Sequence, residues 1–137
     1  WEKKTDDSTV HDKDNTYTWS TGDWTPNGTA FTSFLAALNA GGGFAGYTDW
    51  RLPSEAGRNP PFTGAKELES ILLAPYWCGT SPCIDPIFGP TVADDYWSAT
   101  TNAGAPGGAW VVGFNDGYVF DGYKDFDFYV RAVRAGL

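Results

Sequence analysis

The chain has no methionine, one histidine, two cysteines, and nine lysines and arginines against 17 aspartates and glutamates. Each shortage excludes something. A formal charge of −8 repels phosphate backbones and anionic headgroups, which argues against nucleic-acid partners and binding to membrane surfaces. No apolar run approaches the roughly 20 residues needed to cross a bilayer, which argues against membrane insertion. No basic-then-apolar leader precedes Trp1, so a secretion signal is expected outside this chain or already removed. A Ser-His-Asp or Cys-His arrangement would have to use His11, the only imidazole, which lies in the polar turn "VHDKDN" with no nucleophile signature nearby. Neither a Walker loop nor GxGxxG is present, and no carboxylate pair stands in an acid/base motif. Glu67 and Glu69 read as exposed helix residues. The expectation is a protein that is not an enzyme.

What the chain does contain is aromatic residues and glycine. Aromatics make up 17 % of its 137 residues, with seven tryptophans, beside 17 glycines. That composition points to one ordered, loop-rich α+β or β domain over residues 1–137. Cys78 and Cys83 in "WCGTSPC" bracket a short loop that a disulfide could close. Reduced thiols or half a zinc site are the alternatives, and the latter lacks a second cysteine pair. An oxidised pair implies an extracellular, cell-surface or virion location. "DKDN" resembles the start of a calcium loop, but Tyr17 stands where an EF-hand requires Gly and Asp23 where it requires Glu. An incidental calcium contact is all that remains; no cofactor and no dedicated metal site are expected.

The pattern along the chain suggests a short strand at Trp1–Lys4. A helix follows, on which Phe31, Phe34, Leu35 and Leu38 form one apolar stripe, with Thr29 as N-cap and Asn39 as stop. "FAGYTDWRLPS" is extended, and "SEAGRNPPFTGA" reads as an inserted loop. A second helix in "GAKELESILLAP" would carry Leu68, Ile71 and Leu72 on one face. "AWVVGF" then alternates as a strand, Asn115–Gly117 makes a hairpin turn, and "YVFDGY" and "FDFYVRAVR" are further extended pieces.

Five blocks in order carry a resemblance: "VHDKDNTYTWS", "YTDWRLPS", "KELESIL", "IDPIFGPTVADDYWSATT" and "YVRAVRAG". They resemble the domain family once called DUF1566, now named after the C-terminal domain of a Legionella collagen-like adhesin. The "WRLP" block and the terminal "VR" pattern also resemble the formylglycine-generating group, whose cysteine motif has no counterpart here. The resemblance implies a C-type-lectin-like fold, two helices flanking a small twisted antiparallel sheet, with chain ends close together. The motifs of calcium-dependent sugar-binding lectins are missing, and the charge of −8 opposes the sulfated glycosaminoglycans associated with the Legionella adhesin.

Against the family frame, Trp110, Val112, Phe114 and Val130 are core candidates, and Arg131 and Arg134 are expected to anchor the sheet through ion pairs. Between them, "YVFDGYKDFDFYV" sets rings beside carboxylates where relatives look polar. Tyr118, Phe120, Asp121, Gly122, Tyr123, Asp125, Phe126, Asp127 and Phe128 form the candidate binding face, with Val111, Gly113 and Asn102 as further members. An alternative leaves Phe126 and Phe128 on an ordinary half-buried strand. Rigid rings with hydrogen-bonding neighbours give large contact area at low entropy cost. Some members of this fold are variable proteins of diversity-generating retroelements, in which adenine-directed mutagenesis rewrites AAC- or AAT-type codons. All nine candidate residues from 118 to 128 are types reachable that way; Lys124 is not. The expected function is a non-catalytic ligand- or receptor-binding domain of that diversified kind, on a cell surface or a virus. The alternative is a fixed-specificity extracellular adhesin or glycan-binding module. The partner would be a protein or glycan on a host or neighbouring cell, with assembly into an oligomer left open.

Overall fold

"DYWSATT" and "GAWVVG" are rich in aromatic and β-branched residues, and in the computed structural model they become adjacent inner strands of a five-stranded sheet. The structure describes residues 1–54 and 65–135. Its strands are β1 (Thr16–Thr18), β2 (Asp95–Thr101), β3 (Gly108–Gly113), β4 (Val119–Tyr123) and β5 (Asp127–Tyr129), in the spatial order β1-β5-β2-β3-β4. All neighbours are antiparallel except β2 and β5, which meet in parallel at Tyr96 and Tyr129. The sheet is therefore mixed rather than purely antiparallel. The strand expected at Trp1–Lys4 does not form; that segment lies as a strap, with the Glu2 amide donating to the Ala132 carbonyl at 2.9 Å. The two ends of the described chain thus adjoin.

Alternation along the strands divides the core into two clusters. Trp97, Val111 and Val130 pack with Phe34, Leu38 and Trp50 on one face, and Tyr96, Val112 and Phe114 pack with Leu68, Ile71 and Ile84 on the other. Each helical segment consequently covers one face. The first begins as a π-helix at Ala30–Leu35 and ends as α1 (Ala36–Asn39). Its stripe is as expected, with Phe34 and Leu38 buried and Phe31 and Leu35 packed against the same cluster. Thr29 does not act as its N-cap, because its backbone is already helical. Its hydroxyl instead accepts from the Thr18 amide at 3.0 Å, while the Thr29 amide donates to the Thr18 hydroxyl at 3.1 Å. Asn39 does end the helix: its amide group donates to the Leu35 and Trp50 carbonyls and its oxygen accepts from the Trp50 amide.

The second helix, α2 (Lys66–Glu69), is a single turn. The loop expected over 54–65 falls outside the described residues except at its two ends. Glu67 corrects the sequence reading. It is half-buried and takes a two-pronged contact from Arg51 at 2.6 and 2.9 Å, together with the Ser54 amide at 2.7 Å. These donors hold its carboxyl down at about 2, the Arg51 hydrogen bonds contributing most. Glu69 is also half-buried, paired with Lys66 at 2.7 Å.

Among the core candidates, Val112, Phe114 and Val130 are buried, while Trp110 is only partly so, because its register partner is Asp121 on the outermost strand. Arg134 makes its expected ion pair, with Asp49 at 3.0 Å. Arg131 does not. It is fully buried and donates to neutral acceptors, the carbonyls of Glu2 and Phe88 and the Thr91 hydroxyl.

Candidate functional site

Rings that the sequence scatters over two segments form one continuous series in space. From the disulfide loop, Trp77 lies 5.6 Å from Tyr76, and Tyr76 lies 5.1 Å from Tyr118. Tyr118 stacks on Phe120 at 6.0 Å, and Phe120 meets Phe128 edge-on at 6.3 Å. Phe128 then meets Phe126 at 6.3 Å and Phe126 meets Tyr123 at 5.6 Å. Trp77, Tyr76, Tyr118, Tyr123 and Phe126 are each more than half exposed. Five rings exposed together make this surface the candidate interaction site of the domain.

Three local arrangements hold these rings in place. The first is the Cys78–Cys83 disulfide, which is formed, so thiols and zinc are set aside for this pair. Both cysteines are buried, and their amides donate to carbonyls of the β3–β4 hairpin, Cys78 to Asp116 at 2.8 Å and Cys83 to Phe114 at 2.7 Å. The loop carrying Tyr76 and Trp77 is thereby hung on the hairpin that carries Tyr118. The hairpin turn expected at Asn115–Gly117 is present, with Gly117 at φ +85°, a conformation other residues adopt only under strain.

The second arrangement is the β4–β5 turn. Phe126 donates to the Tyr123 carbonyl at 3.0 Å, and the amides of Trp19 and Ser20 both donate to the Lys124 carbonyl. Lys124 itself points inward. It is buried, donates to the Trp24 carbonyl at 2.9 Å and the Thr101 hydroxyl at 2.8 Å, and sits 4.0 Å over the Trp19 ring. Burial pulls its pKa below the usual lysine range. With Lys124 as an internal peg, Tyr123 and Phe126 are displayed on either side of it.

The third is Gly122, which lies under Phe128; a Cβ there would stand 2.4 Å from that ring. Phe128 can therefore pack, tilted, against Trp97 at 4.7 Å and Phe120 against the same cluster. These two rings are anchors in the core's margin rather than free contact surface. For Phe128 the half-buried-strand alternative is the correct one; for Phe126 it is not.

The structure separates the remaining candidates plainly. Asp121, Asp125 and Asp127 are exposed beside the rings. Val111 is fully buried in the first cluster and Gly113 is buried at the start of the hairpin, where a Cβ would stand 2.5 Å from the Asn115 side chain. Neither reaches the surface, and both leave the candidate face. Asn102 is half-buried and shapes the β2–β3 loop, its side-chain oxygen accepting from the Gly104 amide at 3.0 Å. No contact among the described residues joins it to the rings. Tyr76, Trp77 and the exposed Trp24 were not singled out from sequence. The signal for the first two was available: an aromatic pair next to a cysteine-closed loop.

Beside the rings runs an open groove of about 710 Å³ between the stretch from Lys66 to Tyr76 and the start of β4, with Leu72, Leu73, Tyr118 and Val119 in its walls. At the hairpin's base Asp95 is half-buried, with no cationic partner among the described residues. Burial first, then the charges of Asp94 and Asp116, push its carboxyl up to about 6. Away from this region, carboxylate oxygens of Asp6, Asp12 and Asp14 lie within 4.8 Å of one another. Lys13 already bridges Asp6 and Asp14, and Asp12 accepts from the amides of Asp7, Ser8 and Asp14. That acidic group is internally satisfied.

The adjoining ends fit the expectation drawn from the resemblance. The model of the Lcl C-terminal domain matches residues 1–134. The chain belongs to this family. No curated protein and no solved structure matches it. Among the described residues no helix is long and apolar enough to cross a membrane.

Proposed function

We propose that this Lcl C-terminal domain is a non-catalytic binding module of the adhesin type, and that the ring series from Trp77 to Tyr123 is its ligand face. The observation that carries the reading is that series itself: five rings more than half exposed, held by a disulfide and by a pinned turn. Rings immobilised before contact lose little entropy on binding. The neighbouring Asp121, Asp125 and Asp127 supply acceptors suited to basic or hydroxyl-rich partners. A non-catalytic role is supported by the commitment of His11, whose Nδ1 lies 2.8 Å from the buried Glu2 carboxylate and whose ring packs on Phe44 at 4.1 Å. The disulfide and the adhesin-type family support a surface location, on a cell or a virion. A C-type-lectin-like scaffold is supported by the adjoining ends and by helices on opposite faces of a small sheet.

One observation favours a diversified form of this module over a fixed-specificity one. Lys124, the residue in 118–128 that adenine-directed mutagenesis of AAC or AAT cannot produce, is the buried peg of the turn. The exposed positions Tyr118, Asp121, Tyr123, Asp125, Phe126 and Asp127 surround it and are all reachable types.

The module is tested by measuring binding of the labelled domain to intact cells and to a glycan array. The triple variant Tyr118→Ala, Tyr123→Ala, Phe126→Ala is expected to lose binding while its Tm moves by less than about 3 °C. Retained binding would remove the ring surface from the reading. Diversification is tested by sequencing codons 100–134 across the source population. Substitutions confined to the six exposed positions are expected, and an invariant segment would leave a fixed-specificity adhesin.

A further inference from the structure

β4 is the outermost strand of the sheet on its side, and among the described residues it pairs with β3 alone. The Gly113 amide donates to the Tyr118 carbonyl at 2.8 Å and the Lys124 amide to the Gly107 carbonyl at 3.0 Å. In an antiparallel pair this parity turns residues 118, 120, 122 and 124 towards β3 and turns Val119, Asp121 and Tyr123 outward. The Tyr123 carbonyl is taken by Phe126. The N–H groups of Val119, Asp121 and Tyr123 and the carbonyls of Val119 and Asp121 have no hydrogen-bond partner among the described residues. Proteins usually blunt such an edge with lysine, proline or a covering segment. Here neither residue occurs between Val119 and Tyr123, and an open groove begins alongside Val119.

We infer that the free edge of β4 takes up an extended peptide segment of a partner protein as a sixth strand, and that the segment carries basic residues alternating with apolar ones. The inference rests on the reading of this side as the binding side, and it adds main-chain pairing to the contacts made by the rings. Charge decides the occupant. The chain stands at −8, Asp121 is exposed at mid-strand, and Asp125 and Asp127 follow. A second copy of the same strand is disfavoured. The fullest two-fold register would set Asp121 directly opposite its own copy, a like-charge pair that destabilises a sheet. A basic partner reverses that sign. Asp121 shares a face with Trp110 and Val119, so lysines of the added strand would line that face, and its apolar residues would lie beside Phe120 on the other.

The probe is the capped peptide KVKVKV, with EVEVEV as its charge-reversed control, added to the intact domain. The expected result is that KVKVKV slows amide exchange at Val119, Asp121 and Tyr123 by at least about ten-fold, EVEVEV does not, and Asp121→Lys weakens binding by about ten-fold or more. Methylating alternate peptide nitrogens is expected to abolish binding in one parity and to be tolerated in the other, a readout that needs no altered protein. Equal tolerance of both parities would reduce the effect to charge attraction and overturn the proposal, as would unchanged exchange at the three amides. Concentration-dependent protection without peptide, with a dimer in solution, would overturn it in favour of self-pairing. Loss of cell binding in the ring variant without edge protection would leave the ring face standing and the edge fallen; edge protection with unaltered cell binding in that variant would do the reverse.

Discussion

Where the first residues of the chain meet the last described strand segment, Glu2, Lys4 and Arg131 are buried together with His11 at their margin; where β4 turns into β5, Tyr123 and Phe126 are left in solvent. The same domain hides charges at one end and shows rings at the other. The buried charges are justified by their partners. Glu2 pairs with Lys4 at 3.0 Å and with His11 at 2.8 Å and accepts from the Ala132 amide at 2.9 Å, while Arg131 holds the carbonyls of Glu2 and Phe88. The exposed rings touch chiefly one another. Removing a member of the first group leaves an uncompensated buried charge, which is costly; removing a member of the second uncovers little. Stability and the proposed recognition thereby fall at different ends of one sheet.

That division can be broken most sharply at Glu2. Glu2→Ala is expected to cost about 3–5 kcal/mol in denaturant unfolding, because Lys4 and the Ala132 amide lose their buried acceptor. A loss under about 1 kcal/mol would show that the strap contributes little to folding. Lys124→Ala comes next, at about 2–3 kcal/mol, since it empties the peg position and strands the Trp24 carbonyl. Lys124→Met, which keeps most of the packing, should cost less, and its rings should still bind.

Two carboxylates sharpen the comparison through pH. Glu67 has its folded pKa lowered to about 2, so its stabilisation is present above its ordinary value near 4.5 and lost as pH falls towards 2. With Arg51 partly in solvent, the pair contributes about 1–2 kcal/mol, and Glu67→Gln should remove that acid-labile share. Asp95 runs the other way. Its folded pKa is raised from 3.8 to about 6, so the native state keeps a proton that the unfolded chain releases, and stability falls as pH rises through that window. Asp95→Asn should flatten the fall and stabilise the domain at pH 8 by about 1 kcal/mol. Smallest of all, Tyr123→Ala and Phe126→Ala should each change unfolding free energy by less than about 1 kcal/mol, with the loss appearing in ligand binding instead. A larger stability loss would move these rings to the core.

The sequence made the central strands, the hairpin and the apolar stripe of the first helix legible, because each follows a local period or a local turn. It marked the segment around residues 118–128 as the unusual one for a physical reason, rings and carboxylates mixed at strand spacing. It misjudged features that depend on remote partners. Val111 reads like its neighbours, yet β-strand parity turns it into the first cluster. Glu67 looks like any helix acid until Arg51, 16 residues away, reaches it. Arg131 was expected to need a carboxylate, but three neutral oxygens converge on it from the strap and the 86–91 turn. Tyr76 and Trp77 join the surface through hydrogen bonds between the cysteine loop and the hairpin, from Cys78 to Asp116 and from Cys83 to Phe114, a remote pairing no local pattern encodes.

The placement of Trp77 has an optical consequence. Trp19, Trp50 and Trp97 are sealed in the first cluster, and Trp1 and Trp110 are half-covered, so the tryptophans most open to water are Trp77 and Trp24. With Trp24→Phe in place, the long-wavelength emission of the domain comes mainly from one end of the ring series. A partner that covers that end will shift the emission to the blue and shield it from a collisional quencher, and the protein reports its own occupancy without a label.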